Sequence, residues 1–400
     1  MPMPGRRPDR CAPAAGLVVV LLACSAAILA AAAPGKPAAE RPVGTAPGRA
    51  VRPLAVPALA ERRVGAPGRR FDVQAHRGGR GLVTESTLDG FANALELGVT
   101  TLELDVRLTQ DGRPIVTHER RISAIKCRDT AAAVAGDPEF PYVGDLIRRL
   151  SLEQVATLNC GWQRLPGFPH QRVVAGARIP QLGEVFALVD CYGAHDVRFN
   201  IDPKFAADAP HETAPRRELV GVVAYEVRKA HLVNRATIVA LDWGVLMKMR
   251  RREPRLPIVA ASSPHFLQAG EPGRSPWLGG LDVDDFRGGL VAAAASFGAD
   301  AIAPVHGSPA NSGSGLPRYP PFTTRKMIRR AHRSGLEVIP WTVNHRATMR
   351  DLIDAGVDGI ITDYPDRLRA VIALSGLRSP NQMPVNRRCL LRTSPSARAG

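Results

Sequence analysis

From Phe71 onward, short apolar runs alternate with longer stretches whose apolar residues recur three and four positions apart. The first pattern marks buried strands and the second amphipathic helices. Strands are expected at Asp72–His76, Thr101–Val106, Val197–Ile201, Thr237–Leu241, Pro257–Ala261, Ala301–Ala303, Glu337–Thr342 and Gly359–Thr362. Helices are expected around Leu88–Leu97, Leu182–Val189, Arg216–Lys229, Val245–Arg251, Asp285–Phe297, Thr324–Arg333, Ala347–Ala355 and Arg367–Leu374. A strand followed each time by a helix, repeated around a ring, predicts an α/β fold of the closed (β/α)8 TIM-barrel type. An open doubly wound sheet more often stops after five or six strands and opens on a glycine-rich phosphate loop.

One connection breaks the rhythm. Between the second strand and its helix lie the 62 residues from Glu119 to Pro180, with Phe140, Tyr142, Trp162 and two cysteines. Loops this long are uncommon inside compact domains and are usually functional. This one falls on the barrel face where active sites are built. Residues 119–180 therefore read as an insertion, a lid or small subdomain.

The flanks differ in kind from the barrel. Within residues 1–33, Arg6, Arg7 and Arg10 precede an apolar run from Ala14 to Ala33, the pattern of a secretory signal peptide. The run approaches the length of a membrane span, but its alanine-rich second half is weakly apolar and favours cleavage over anchoring. Leu21-Leu22-Ala23-Cys24 also fits a bacterial lipobox, making a cell-surface lipoprotein with membrane contact through Cys24 the alternative to a secreted product. Residues 34–70, rich in Pro, Ala, Arg and Gly, read as a flexible linker. Residues 71–375 carry the barrel, and 376–400 read as a basic, disordered tail.

Charge changes meaning once it is located. The net +16 suggests a nucleic-acid partner, yet residues 1–70 hold 11 Lys and Arg against three acids, and 376–400 hold five Arg and no acid. The barrel region itself is nearly balanced, so no nucleic-acid partner is expected. Beyond the leader stand Cys127, Cys160, Cys191 and Cys389. In an oxidising compartment these allow three pairings; Cys127–Cys160 is favoured because both lie in the insertion.

Barrel chemistry is sought at the C-terminal strand ends. The first strand ends at His76-Arg77-Gly78. The second carries Glu103 and Asp105, two apart and so on one face, while Leu102, Leu104 and Val106 face the helices. Two carboxylates pointing into a barrel repel and need a cation or a proton. A hard divalent metal, Mg2+ or Ca2+, suits an all-oxygen set. The third strand supplies Asp202 and, again two on, Lys204; His118 follows the turn at Asp111-Gly112 and the short run Pro114–Thr117. Each has a bland alternative: a strand-edge acid, a simple ion pair, a core tryptophan at Trp341. Their convergence on one end of the barrel argues against it.

Taken in order, these residues resemble the glycerophosphodiester phosphodiesterase family, in an exported bacterial form. The matching pieces are Ala75-His76-Arg77-Gly78, Glu85 with Thr87, Glu103-Leu104-Asp105-Val106, Thr109, Asp111-Gly112 and His118. They continue with Asp202, Lys204, Asp242-Trp243, Pro340-Trp341-Thr342-Val343-Asn344, and the stretch from Gly356 to Pro365. The resemblance implies a TIM barrel that hydrolyses diesters of glycerol phosphate to glycerol 3-phosphate and an alcohol. It implies a divalent metal on Glu103, Asp105 and Asp202, with His76 and His118 as general acid and base. It further implies phosphate contacts from Arg77 and Lys204, Glu85 near the metal or the glycerol hydroxyls, and Trp341 among the substrate-binding residues. Ser86 stands where the family usually has Asn, and Asp202 where it usually has Glu.

The expected partner is a small phosphodiester. Two other readings compete. A phospholipase D-like relative acting on lysophospholipid or sphingomyelin would expose an apolar rim around Trp162 and Phe168, whereas Arg164, His170 and Arg172 in that segment favour polar headgroups. An inactive barrel binding anionic wall polymers would have lost catalytic residues, and none is lost. His306, after the sixth strand, faces the same rim. The leaving alcohol and the oligomeric state are not legible in the sequence.

Overall fold

The computed structural model describes residues 70–287, 289–306 and 321–393. The expected signal peptide with its Cys24 lipobox, the expected linker up to residue 69 and residues 394–400 of the expected tail lie outside the described residues. Among the described residues, nine strands form one sheet: β1 (Asp72–Ala75), β2 (Thr101–Leu108), β3 (Pro114–Val116), β4 (Arg198–Pro203), β5 (Ala236–Ala240), β6 (Ile258–Ser262), β7 (Ala301–Pro304), β8 (Glu337–Val338) and β9 (Gly359–Thr362). Eight pair in parallel in the order β8-β7-β6-β5-β4-β2-β1-β9, and β3 lies antiparallel on the end of β2. Backbone bonds bridge the remaining seam, from Asp358 N–H to Val338 O and from Ile361 N–H to Pro340 O, both at 3.0 Å. The fold is a (β/α)8 TIM barrel.

Helices α1 (Leu88–Leu97), α2 (Leu152–Ala156), α3 (Leu182–Cys191), α4 (Arg216–Lys229), α5 (Trp243–Arg252), α6 (Pro264–Leu267), α7 (Leu290–Ser296), α8 (Arg325–Arg333), α9 (Arg346–Ala355), α10 (Pro365–Leu374) and α11 (Arg387–Thr393) complete the chain. Local chemistry sets their ends. Thr87 caps α1 by accepting from Gly90 N–H at 3.0 Å, and Gly98 at φ 81 stops it. Asp242 caps α5 in the same way through Val245 N–H.

Period-two alternation divides each strand between two environments. Val73, Ala75, Leu102, Leu104, Phe199, Ile201 and Ile360 join the large core beneath the helices. The opposite faces fill the barrel in layers. At the lower level Arg198 pairs with Asp72 at 2.9 Å, and above it Asn200 Nδ2 donates to Gln74 Oε1 at 2.7 Å. Val239, Val259, Ala261, Ala303, Ile339 and Ile361 fill the interior elsewhere. The same alternation, one step higher, brings His76, Glu103, Asp105 and Asp202 to the top.

Three local expectations are corrected, and one short helix is added. The strand expected over Glu337–Thr342 ends at Val338, because Pro340 has no N–H to give to a ladder. The helix expected from Asp285 is a short 3-10 turn at Val283–Asp285 followed by α7, since Gly289 at φ 55 breaks the helical path. A short helix, α6, follows β6. Residues 376–393 are not a featureless tail: α11 is tied to α3 by the Cys191–Cys389 disulfide.

The insertion has a core of its own, built from Ile122, Tyr142, Ile147, Leu150, Val155 and Leu158 around the Cys127–Cys160 disulfide. Tyr142 is fully buried, with its hydroxyl donating to Asp137 at 2.6 Å. No helix among the described residues is long and apolar enough to cross a membrane.

Candidate active site

The register of β2 against β4 sets Glu103 beside Asn200 and Asp105 directly beside Asp202. One ligand oxygen from each of Glu103, Asp105 and Asp202 lies within 4.8 Å of the others, and all three side chains are buried. Lys204 Nζ closes on two of them, 2.9 Å from Asp105 and 2.6 Å from Asp202. Arg77 Nε lies 3.0 Å from the other Asp105 oxygen.

These contacts sort the ionisation of the three acids. Burial and the neighbouring Asp105 push Glu103 well above the carboxylate range. Burial likewise raises Asp202 against the pull of Lys204. Asp105 goes the other way: burial resists its charge, but Lys204 and Arg77 hold it well below its ordinary value. Three adjacent carboxylates with two of them driven toward protonation are the electrostatic situation that a divalent cation relieves. The set is all oxygen, with one ligand atom from each residue within 4.8 Å of the others. The residues therefore fit a hard divalent metal.

His76 rises from the end of β1 in a 3-10 turn. Its Nδ1 lies 2.6 Å from Asp363 Oδ1, and Nε2 is 3.9 Å from Glu103. Asp363 also accepts from Arg80 Nε at 2.9 Å and Asn344 Nδ2 at 2.7 Å. Burial opposes its charge, yet His76 and Arg80 keep Asp363 well below the usual carboxylate range. Burial and Arg77 lower the His76 pKa against the pull of Asp363.

Arg77 adopts the left-handed region, φ 51 and ψ 37. This conformation is strained for a residue with a Cβ. It turns the Arg77 N–H onto Glu103 Oε2 at 3.0 Å while the guanidinium reaches Glu85 at 3.1 Å and Asp105. Glu85 is not one of the three clustered acids. It is held at a pKa of about 2, since Lys126, Arg77 and Arg80 outweigh its burial. Lys126 bonds both Glu85 and Glu119.

His118 sits at the rim, its side chain 39% exposed, with Nδ1 3.5 Å from Glu119. Its backbone carbonyl is clamped by Arg107 Nε at 2.8 Å and Nη2 at 2.6 Å. Desolvation, then Arg77 and Lys204, push its pKa down. His118 shares the wall of one cavity with Asp202 and Lys204, while His76 approaches the cluster from Glu103. Trp341 packs on the barrel's apolar interior, with Nε1 donating to Ala303 O at 2.6 Å. His306 is tied by its backbone to Trp341 O at 2.8 Å.

Of the residues named for a lipid rim, Phe168 is engaged within the protein while Trp162 remains 38% exposed. Phe168 packs on Tyr364 and beneath the Arg80 guanidinium, 4.9 Å from its ring centre. Trp162 lies beneath Arg128. The sequence assigned no role to Asp363 or Asn344, although both stand in the matching motifs, and none to Arg80, Lys126 or Glu119. Asp363 had a signal, since it follows β9 at the same end as the other strand-end acids.

Clustered acids beside fixed cations make a site for an anionic substrate, and they stand where (β/α)8 enzymes carry out their chemistry. The profile of the glycerophosphoryl diester phosphodiesterase family matches residues 76–367, and the chain belongs to that family. It is 26% identical over 316 residues to a glycerophosphodiester phosphodiesterase of Caldanaerobacter subterraneus, covering 76% of this chain and 98% of that one. It is 30% identical to the probable glycerophosphodiester phosphodiesterase 2 of Mycobacterium tuberculosis, over 76% of this chain and 90% of the relative. A crystal structure of a Silicibacter pomeroyi protein assigned to the same family superposes with a TM-score of 0.63 at 30% identity, covering 78% of this chain and 96% of that one.

Proposed function

We propose that the protein hydrolyses glycerophosphodiesters to glycerol 3-phosphate and an alcohol in a metal-dependent reaction, with His76 and His118 as the acid–base pair. The observation that carries this reading is the meeting of Glu103, Asp105 and Asp202 beside Arg77 and Lys204 at one barrel mouth. Glu103, Asp105 and Asp202 would hold Mg2+ or Ca2+, which supplies Lewis-acid charge neutralisation at the phosphoryl oxygens when bound.

The chain's own residues do the rest. Arg77 and Lys204 keep positive charge beside the phosphate, because the surrounding acids outweigh burial and raise both of their pKa values. Asp363 accepts a hydrogen bond from His76 Nδ1–H, which leaves the Nε2 lone pair turned toward the site. Desolvation and nearby cations lower the pKa of both imidazoles, and the pair divides the two transfers: one imidazole takes the proton of the attacking hydroxyl while the other, protonated, gives one to the leaving alcohol. Glu85 positions Arg77, and Trp341 offers an apolar wall to the substrate. Two disulfides support an oxidising compartment, consistent with a secreted protein or a lipoprotein tethered at Cys24.

The test is release of glycerol 3-phosphate from glycerophosphocholine, with and without EDTA and with Mg2+ or Ca2+ restored. Turnover that needs the metal and disappears in His76→Ala and His118→Ala is the expected result. Full turnover in either variant overturns the acid–base assignment.

A further inference from the structure

A cavity of about 700 Å3 opens beside the candidate site, between the loops that follow β4, β5 and β6. Its inner end is formed by His118, Asp202 and Lys204; His76, Arg77 and Glu85 are not among its walls. Beyond that end the surface changes character. Phe205, Leu241, Phe266 and Trp277 line it, with Phe266 and Trp277 edge to face at 4.8 Å between ring centres. Nothing in the alternation of the chain pointed to these four, because three of them sit in loops.

The charged residues around this cavity are already engaged within the protein. Arg107 clamps the His118 carbonyl, Arg120 pairs with Glu212 at 2.7 Å, and Arg121 pairs with Glu212 at 2.9 Å. Asp242 is bound by Arg216 through two contacts of 2.8 and 2.7 Å. The opposite flank of the site carries instead Glu85, Arg80, Lys126 and Asp363, charged groups that pair with one another. A phosphodiester lying between the flanks therefore meets polar partners for glycerol hydroxyls on one side and an apolar chamber on the other.

We infer that the β4–β6 cavity is the subsite for the leaving alcohol, and that it selects alcohols with an uncharged apolar body larger than ethanolamine or choline. This rests on the proposed diesterase activity. The volume exceeds what a small headgroup fills, and burying each added methylene against aromatic and aliphatic walls favours binding. Phe266 and Trp277 are the specificity-determining residues of this subsite.

The experiment uses glycerol 3-phosphate diesters of ethanol, butanol and hexanol, whose alcohols differ in size but scarcely in acidity. Choline and its uncharged isostere 3,3-dimethylbutanol complete the series. The expected result is a kcat/KM that rises roughly tenfold or more from ethyl to hexyl, with the isostere ahead of choline. Trp277→Ala should reduce the hexyl-to-ethyl ratio roughly tenfold and Trp277→Phe should largely restore it. Because the readout is a ratio within one protein, partial loss of fold does not imitate it. A flat series, or choline ahead of its isostere, overturns the inference while leaving the diesterase reading intact. No cleavage of any diester overturns both.

Discussion

His76 Nδ1 and Asp363 Oδ1 stand 2.6 Å apart although 287 residues separate them in sequence. The pairing of β1 with β9 brings them together: Ala75 and Thr362 are register partners, and the next residue of each strand carries the side chain. An anionic acceptor at Nδ1 fixes the tautomer that leaves Nε2 free to take a proton. Asp363→Asn keeps the shape but lets the amide donate, which reverses that preference. We expect kcat to fall roughly a hundredfold to ten-thousandfold with KM little changed. Steady-state kinetics on a glycerophosphodiester check it; an unchanged kcat would remove Asp363 from the machinery.

The same carboxylate sets an acid limit on stability. Burial works against its charge, but His76, Arg80 and Asn344 bring the native pKa below the unfolded value. A depressed native pKa contributes stability above the unfolded carboxylate pKa of about 3.9, and that contribution is lost as pH falls toward the native one. The difference in urea midpoint between wild type and Asp363→Asn should therefore be full at pH 7 and pH 5 and shrink below about pH 4. A difference that does not depend on pH would show that the charge of Asp363 contributes nothing to the fold.

Two disulfides should separate activity from stability. Cys127–Cys160 closes 33 residues of the insertion, and the residue before Cys127 is Lys126, the partner of Glu85 and Glu119. Cys191–Cys389 closes 198 residues and ties α11 to α3, away from the mouth. Chain-entropy estimates give about 4 kcal/mol for the first and about 5 kcal/mol for the second. Replacing either pair by Ser should lower Tm. Only the Cys127→Ser, Cys160→Ser protein should also lose kcat/KM, as Lys126 leaves Glu85 and Arg77 loses its fixed neighbour. Equal kinetic loss in both proteins would sink this division of labour.

Much of the barrel was legible because strands buried on two sides alternate strictly. Asp72, Gln74 and His76, or Asn200 and Asp202, declare their face by spacing alone. The pairing of β1 with β9 is a property of closure, so the His76–Asp363 contact was invisible even though both residues stood in recognised motifs. Lys126, Arg80 and Glu119 lie in segments without periodicity and gained meaning only from the folded insertion. Helix α11 was missed for a similar reason: its basic, proline-flanked sequence reads as solvated, and a covalent bond to Cys191 holds part of it in place. At β8 and α7 the pattern overran its limits where Pro340 and Gly289 act on the backbone.

Ser86 answers a question its sequence posed, namely why Asn is usual at this position. Its φ is 53, in the left-handed region that Asn tolerates far better than most residues with a Cβ. Its N–H donates to the carbonyl of Arg77 at 3.0 Å, so two left-handed residues brace each other behind the site. The Ser86 hydroxyl is buried without a hydrogen-bond partner, and the residue borders a small cavity of about 20 Å3. Asn relieves the backbone and gives the side chain more polar reach in that space. Ser86→Asn should raise Tm by roughly 1–3 °C, which corresponds to several tenths of a kcal/mol in a domain of this size. Differential scanning calorimetry decides it. A fall in Tm would mean that the space behind Arg77 is too tight for the amide, and that serine stands there for packing rather than backbone conformation.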